Sequence, residues 1–141
     1  MDGQGGGQSP VIAVQQVHQR RQTDGGGHTS ALLDATAPAG RVLGIDRDPA
    51  ILAALGERFA DAVASGRLQL ANASFARLAA LLPAHGFAAV DGVLFDLGLS
   101  SHHLDSSGRG FSFTHDEPRD MRFDPTDDDC QSAADILASR D

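Results

Sequence analysis

Arg41-Val42-Leu43-Gly44-Ile45-Asp46-Arg47-Asp48-Pro49 is the stretch that decides the fold of this chain. Val42 to Ile45 is an unbroken apolar run, the pattern of a buried strand, and it ends in an acid, Asp46. Asp48 is a helix N-cap, and Pro49 follows at the first helical position, where its missing N–H costs nothing. Ile51, Leu52, Leu55, Phe59 and Val63 then keep helical spacing until Gly66 ends the run. Downstream, Leu68 and Leu70 alternate as a second strand, and Phe75 to Leu82 is a short helix closed by Pro83. Val90 to Leu97 is a third strand with an acid, Asp96, near its end. Upstream, His28 to Ala37 is a helix launched from glycines and stopped by Pro38 and Gly40. Helix, strand, helix, strand, helix, strand implies right-handed crossovers and an α/β fold with a mostly parallel sheet.

The flanks differ from this centre. Gly3 to Ser9 has the composition of a flexible tail. Val11-Ile12-Ala13-Val14 is a short apolar stretch that turns polar through Gln15, Gln16 and His18 to Gln22. Gly98 to Asp129 is loop-like, and Ser132-Ala133-Ala134-Asp135 opens a helix only six residues before the end, the look of a truncation.

At 141 residues the chain is about one domain. Eleven basic residues, all arginine, face 19 acidic ones for a net charge of −8, which argues against binding nucleic acid by bulk electrostatics. A single cysteine, Cys130, excludes a disulfide framework and leaves too few thiols for a cysteine zinc site. His102-His103 lacks a third ligand at helical spacing, and Asp127-Asp128-Asp129 lacks the alternation of a calcium loop, so no metal is expected. No apolar run approaches the roughly 18 residues of a membrane span, and the N-terminus has no signal pattern. A soluble, cytoplasmic protein with no membrane partner is the expectation.

Four places carry candidate chemistry. Gly25-Gly26-Gly27-His28 precedes a helix, where glycines admit close backbone approach and exposed N–H groups favour anions; a plain loop is an equal alternative on these residues alone. Asp46 falls about 20 residues later, the distance at which doubly wound folds set a carboxylate on a ribose hydroxyl pair. Asn72-Ala73-Ser74-Phe75 follows a strand, so Phe75 could meet an adenine, although aromatics more often serve the core. Asp96-Leu97-Gly98-Leu99-Ser100-Ser101 combines a carboxylate, a glycine and two hydroxyls, suited to a polar substrate group or to a capped turn.

Together with Arg109-Gly110-Phe111-Ser112-Phe113, Asp116 to Pro125 and Ser132 to Asp135, these motifs stand in one order. The series resembles the bacterial small-subunit ribosomal RNA cytosine-N4 methyltransferases (the RsmH, formerly MraW, family) over about residues 24 to 139. The combination of IDRDP, DLGxSS and RGFSF in register is highly specific. The resemblance implies a Rossmann-like fold of the class I S-adenosylmethionine-dependent methyltransferases. It also implies S-adenosylmethionine as methyl donor and a cytidine of small-subunit ribosomal RNA as acceptor. By matching motifs, Gly26, Gly27 and His28 would meet the methionine end of the cofactor, Asp46 its ribose and Phe75 its adenine. Asp96 would lie beside the cofactor at the target base, as the catalytic residue. His103 stands where the family usually has Gln, as a further cofactor contact. Ser100, Ser101, Arg109 and Phe111, with Phe113, are candidate substrate-side residues; the alternative for the arginine and phenylalanines is a loop packed on the sheet.

Two features depart from the family pattern. A strand normally leads straight into the glycine turn, whereas His18 to Asp24 is polar, so the first strand is expected to be atypical or missing unless Val11 to Val14 replaces it. The family's chain is also roughly twice as long, with an inserted helical domain and further strands. The expected division is a flexible or atypical segment 1–23, a partial methyltransferase domain 24–129 and the start of the insertion at 130–141. The competing hypothesis is a non-catalytic half-domain that binds the cofactor or a partner; a nucleotide-binding oxidoreductase leaves DLGLSS and RGFSF without a role.

Overall fold

The structure, a computed structural model, describes residues 11–15, 27–99, 103–104 and 107–139. Its elements run β1 (Val11–Gln15), α1 (Gly27–Ala35), β2 (Val42–Asp46), α2 (Pro49–Arg58), α3 (Ala60–Ala64) and β3 (Leu68–Asn72). A 3-10 turn (Phe75–Arg77), α4 (Leu78–Ala84), β4 (Gly92–Asp96) and α5 (Ala133–Ala138) complete them. The strands form one parallel sheet in the order β3-β2-β1-β4, the α/β architecture that the alternation of elements predicts.

Of the alternatives left open for the first strand, the structure has the one in which the Val11–Val14 stretch takes its place. β1 lies at the centre of the sheet, with Val11 level with Val42 of β2 on one side and with Gly92 of β4 on the other. The long polar connection over 16–26 does not prevent this, because loop-closure cost grows only logarithmically with length. An interior slot between two strands, in return, satisfies backbone N–H and C=O groups on both edges at once. The glycine-rich tail and Gly26 lie outside the described residues.

β2 is buried throughout because both of its faces are covered. Leu43 and Ile45 point to one face, where Ala71 and Phe87 join them under Leu78, Leu81 and Leu82 of α4. Val42 points to the other, against Leu68 of β3 and Leu33 of α1. Each fully buried aliphatic side chain here contributes about 1.5–3 kcal/mol of transfer free energy.

Three boundaries differ from the sequence expectation. The helix beginning at Pro49 breaks at Phe59, whose side chain packs against both the Leu33–Val42–Leu68 and the Ile51–Leu55 clusters. Pro83 does not close α4 but sits in its last turn, which ends when His85 N–H bonds back to Leu81 and Leu82 carbonyls. The third predicted strand narrows to Gly92–Asp96.

Candidate functional site

The carboxyl ends of the strands form a row. Register sets Asn72 level with Asp46, Val14 level with Ile45, and Gln15 level with Asp96. Asp46 and Asp96 therefore stand two strand spacings apart, roughly 10 Å. The chain adds β2 and β3 to one side of β1 and then returns to place β4 on the other, and such a switch point is where open α/β sheets hold ligands.

Asp46 is 3% exposed, and its Oδ1 accepts the backbone N–H of Asp48 at 2.8 Å. Asn72 Nδ2 donates to the carbonyls of Asp46 and Arg47, tying the ends of β3 and β2 together. A cleft of about 320 Å³ opens beside them, with Arg47, Asn72 and Arg77 facing Asp124 and Asp127. On the other side of β1, His28 in the first turn of α1 donates from Nδ1 to Asp96 Oδ2 at 3.0 Å, with the carboxylate one quarter exposed. Beyond its chain neighbours and its own helix, no atom of the described residues lies within 4 Å of the place a Cβ on Gly27 would take. Phe75 is 44% exposed rather than core, and it meets Phe95 edge-on with centroids 5.9 Å apart. Four of the predicted residues, His28, Asp46, Phe75 and Asp96, are thus at the strand ends.

His103 and Arg109 are elsewhere. Both converge on Asp48, which is 0% exposed. His103 Nε2 donates to Asp48 Oδ2 at 2.9 Å, Arg109 Nη1 to the same oxygen at 2.9 Å, and Arg109 Nη2 to Oδ1 at 3.3 Å. Asp48 Oδ1 also caps α2 through Ala50 N–H at 2.9 Å. Burial works to raise the Asp48 pKa, but hydrogen bonds from Arg109 and Ala50, with the charges of Arg109 and His103, outweigh it and hold the carboxyl below its ordinary value. His103 is 1% exposed and lies edge-on to Phe111 and Phe123, with centroids 5.4 and 5.1 Å away. In this structure His103 is turned toward Asp48: a buried carboxylate demands paired donors, and His103 supplies one. Arg109, bonded to the Phe123 carbonyl, and the buried Phe111 pack within their own segment, the arrangement of the packed-loop alternative.

Phe113 of the same motif is fully exposed, at 101%. Its loop is built around Gly110, whose N–H donates to Glu117 Oε2 at 2.8 Å. Arg122 grips Asp120 through Nε and Nη2, both at 2.8 Å, and the carbonyls of Arg119 and Asp120 receive the first N–H groups of α5. The Arg122 bonds are the first cause holding the Asp120 carboxyl below its ordinary range. Sequence reasoning named Asp48 only as a cap; its long-range partners leave no local signal. Gly26, Ser100 and Ser101 lie outside the described residues. Among the described residues no His, Cys, Asp and Glu group is arranged to hold a metal ion, and no helix is long and apolar enough to cross a membrane.

Residues 22–141 match the MraW methylase family. The chain is 53% identical over 105 residues to a ribosomal RNA small subunit methyltransferase H of Thermomicrobium roseum, covering 72% of this chain and 31% of that protein. It is 50% identical over 114 residues to the protein of that name from Trichlorobacter lovleyi, covering 80% and 35%. With that of Magnetococcus marinus it shares 46% over 117 residues, covering 83% and 36%. The chain thus spans about a third of the length of these relatives.

Proposed function

From the premise that this chain belongs to the MraW methylase family, we propose that it is the cofactor-binding part of an S-adenosylmethionine-dependent methyltransferase. Its proposed substrate is the exocyclic N4 amine of a cytidine in small-subunit ribosomal RNA, in the cytoplasm. The observation that carries this reading is the row of carboxylates at the strand ends, Asp46 buried on β2 and Asp96 joined to His28 across the start of α1. Proposed boundaries follow the motifs, with 24–129 in the catalytic domain and 130–141 opening a helical insertion.

The donor set suits the cofactor. Asp46 is shielded from bulk water, where a carboxylate binds a hydroxyl pair more strongly than at an open surface. The half-exposed Phe75 would flank the adenine, and Gly27, with Gly26 and His28, would meet the methionine end. When bound, S-adenosylmethionine supplies an electrophilic methyl group on a sulfonium. The remaining work belongs to the chain. A cytosine amine is a weak nucleophile because its lone pair is delocalised into the ring. The Asp96 carboxylate would accept a hydrogen bond from that amine, orient it and stabilise positive charge as it grows on nitrogen. His28 Nδ1, donating to Oδ2, holds Asp96 in place. The cytidine has to leave its stack to reach Asp96, and Phe113 offers an exposed ring for a neighbouring base; Ser100 and Ser101 of the same motif as Asp96 are proposed as substrate-side residues on their sequence.

Calorimetric titration of S-adenosylmethionine into the 141-residue chain tests this reading. Saturable binding that Asp46→Ala weakens at least tenfold is expected. A folded chain with no measurable binding, or one indifferent to Asp46→Ala, would refute the cofactor assignment.

A further inference from the structure

We propose that Asp48 is a positioning residue for Asp46, through which the segment from His103 to Phe123 sets the cofactor-facing carboxylate. The inference deepens the reading of Asp46 as a cofactor ligand and rests on it. The main chain and side chain of Asp48 face different partners. Its N–H donates to Asp46 Oδ1 at 2.8 Å, while its carboxylate, with no exposed surface, receives Ala50 N–H, Arg109 and His103. Ala50 belongs to the same turn. His103 and Arg109 come from 55 and 61 residues along the chain. Arg109 Nη1 also donates to the Phe123 carbonyl at 2.6 Å, and Phe123 and Phe111 enclose the His103 ring. The guanidinium therefore nails the segment to the turn between β2 and α2.

A buried carboxylate stripped of such a partner either takes a proton or moves toward water. Movement displaces the Asp48 N–H, and with it the hydrogen bond that orients Asp46. Docking of the segment and orientation of Asp46 thus form one coupled equilibrium, and coupling is reciprocal: a ligand held by Asp46 tightens the segment, and a docked segment tightens the ligand. No atom of Asp48 needs to touch the ligand.

The test is nuclear magnetic resonance on the full 141-residue chain, following the Asp48 amide and the Asp46 carboxyl carbon in Arg109→Gln, Arg109→Lys and His103→Gln. Arg109→Gln is expected to move both resonances, and Arg109→Lys, which keeps a charge at Asp48, to bring them part of the way back. His103→Gln, the mildest variant, retains an N–H donor; it is expected to move them least and to serve if Arg109→Gln does not fold. Resonances that stay fixed while only 103–123 changes would overturn the proposal, with or without a cofactor. In parallel, S-adenosylmethionine affinity is expected to fall about tenfold in Arg109→Gln and to recover partly in Arg109→Lys. Moved resonances with unchanged affinity would overturn the coupling to ligand. Moved resonances in a chain whose wild type binds no S-adenosylmethionine would support the positioning of Asp46 and count against its role as cofactor ligand.

Discussion

Asp48 carries its charge with no exposed surface, so its response to pH follows from its partners. Hydrogen bonds and charge from Arg109, with Ala50 N–H and His103, hold its pKa below the ordinary value in spite of burial. The folded chain therefore binds this proton less readily than the unfolded chain. The stability it contributes is complete above the usual aspartate range, about 4, and is lost as pH falls through that range toward the lower folded pKa. Urea midpoints are expected to drop between pH 5 and pH 3 as this and other carboxylates protonate. Arg109→Leu leaves burial unopposed by its strongest partner and is expected to cost about 3–5 kcal/mol at pH 7. Its deficit relative to wild type should shrink on acidification, since a proton neutralises the orphaned carboxylate. Equal deficits at pH 7 and pH 4 would remove Asp48 as the cause.

Among the elements, the loop around Gly110 is the most constrained by backbone. Gly110 has φ +82°, and a Cβ there would run into the Pro118 carbonyl, whereas a Cβ on Gly108, at φ +65°, would meet no atom of the described residues beyond its chain neighbours within 4 Å. Gly108→Ala is expected to cost about 1–2 kcal/mol from the left-handed conformation alone. Gly110→Ala should cost clearly more, because the obstacle is main chain; thermal unfolding of the two variants side by side checks the order. α5 depends on its capping box, in which Ser132 Oγ accepts Asp135 N–H and Asp135 Oδ2 accepts Ser132 N–H. Ser132→Ala is expected to cost about 1 kcal/mol locally, read as faster amide exchange at Ile136 and Leu137. Such caps were legible from the residue order, as was Asp48-Pro49 opening α2, because capping is a matter of neighbours. The break at Phe59 was not, since helical spacing continues through it and only the packing of its ring against two clusters distinguishes it.

For the whole molecule, the two sides of the sheet are unequal. β2 is closed in on both faces, while β4 shows Val93, Leu94 and Phe95 to solvent, with Leu97 and Leu99 beyond its end. Among the described residues β4 pairs only with β1, so its other edge offers a template for another strand. The isolated 141-residue chain is expected to associate with rising concentration, and Phe95→Lys to reduce this; light scattering after size exclusion checks both. A chain that stays monomeric at high concentration would show that the apolar edge is covered. The strand runs, the acids that end β2 and β4, the caps and the family motifs were determined by the sequence alone, because each rests on periodicity or on residues a few positions apart. Only the tertiary structure decided that Val11–Gln15 fills the centre of the sheet, that Phe75 stays half exposed, and that His103 and Arg109 turn inward to Asp48. The physical reason is common to all three. Which interior slot lacks a strand and which buried charge lacks a partner are properties of the assembled fold, and no stretch of neighbouring residues encodes them.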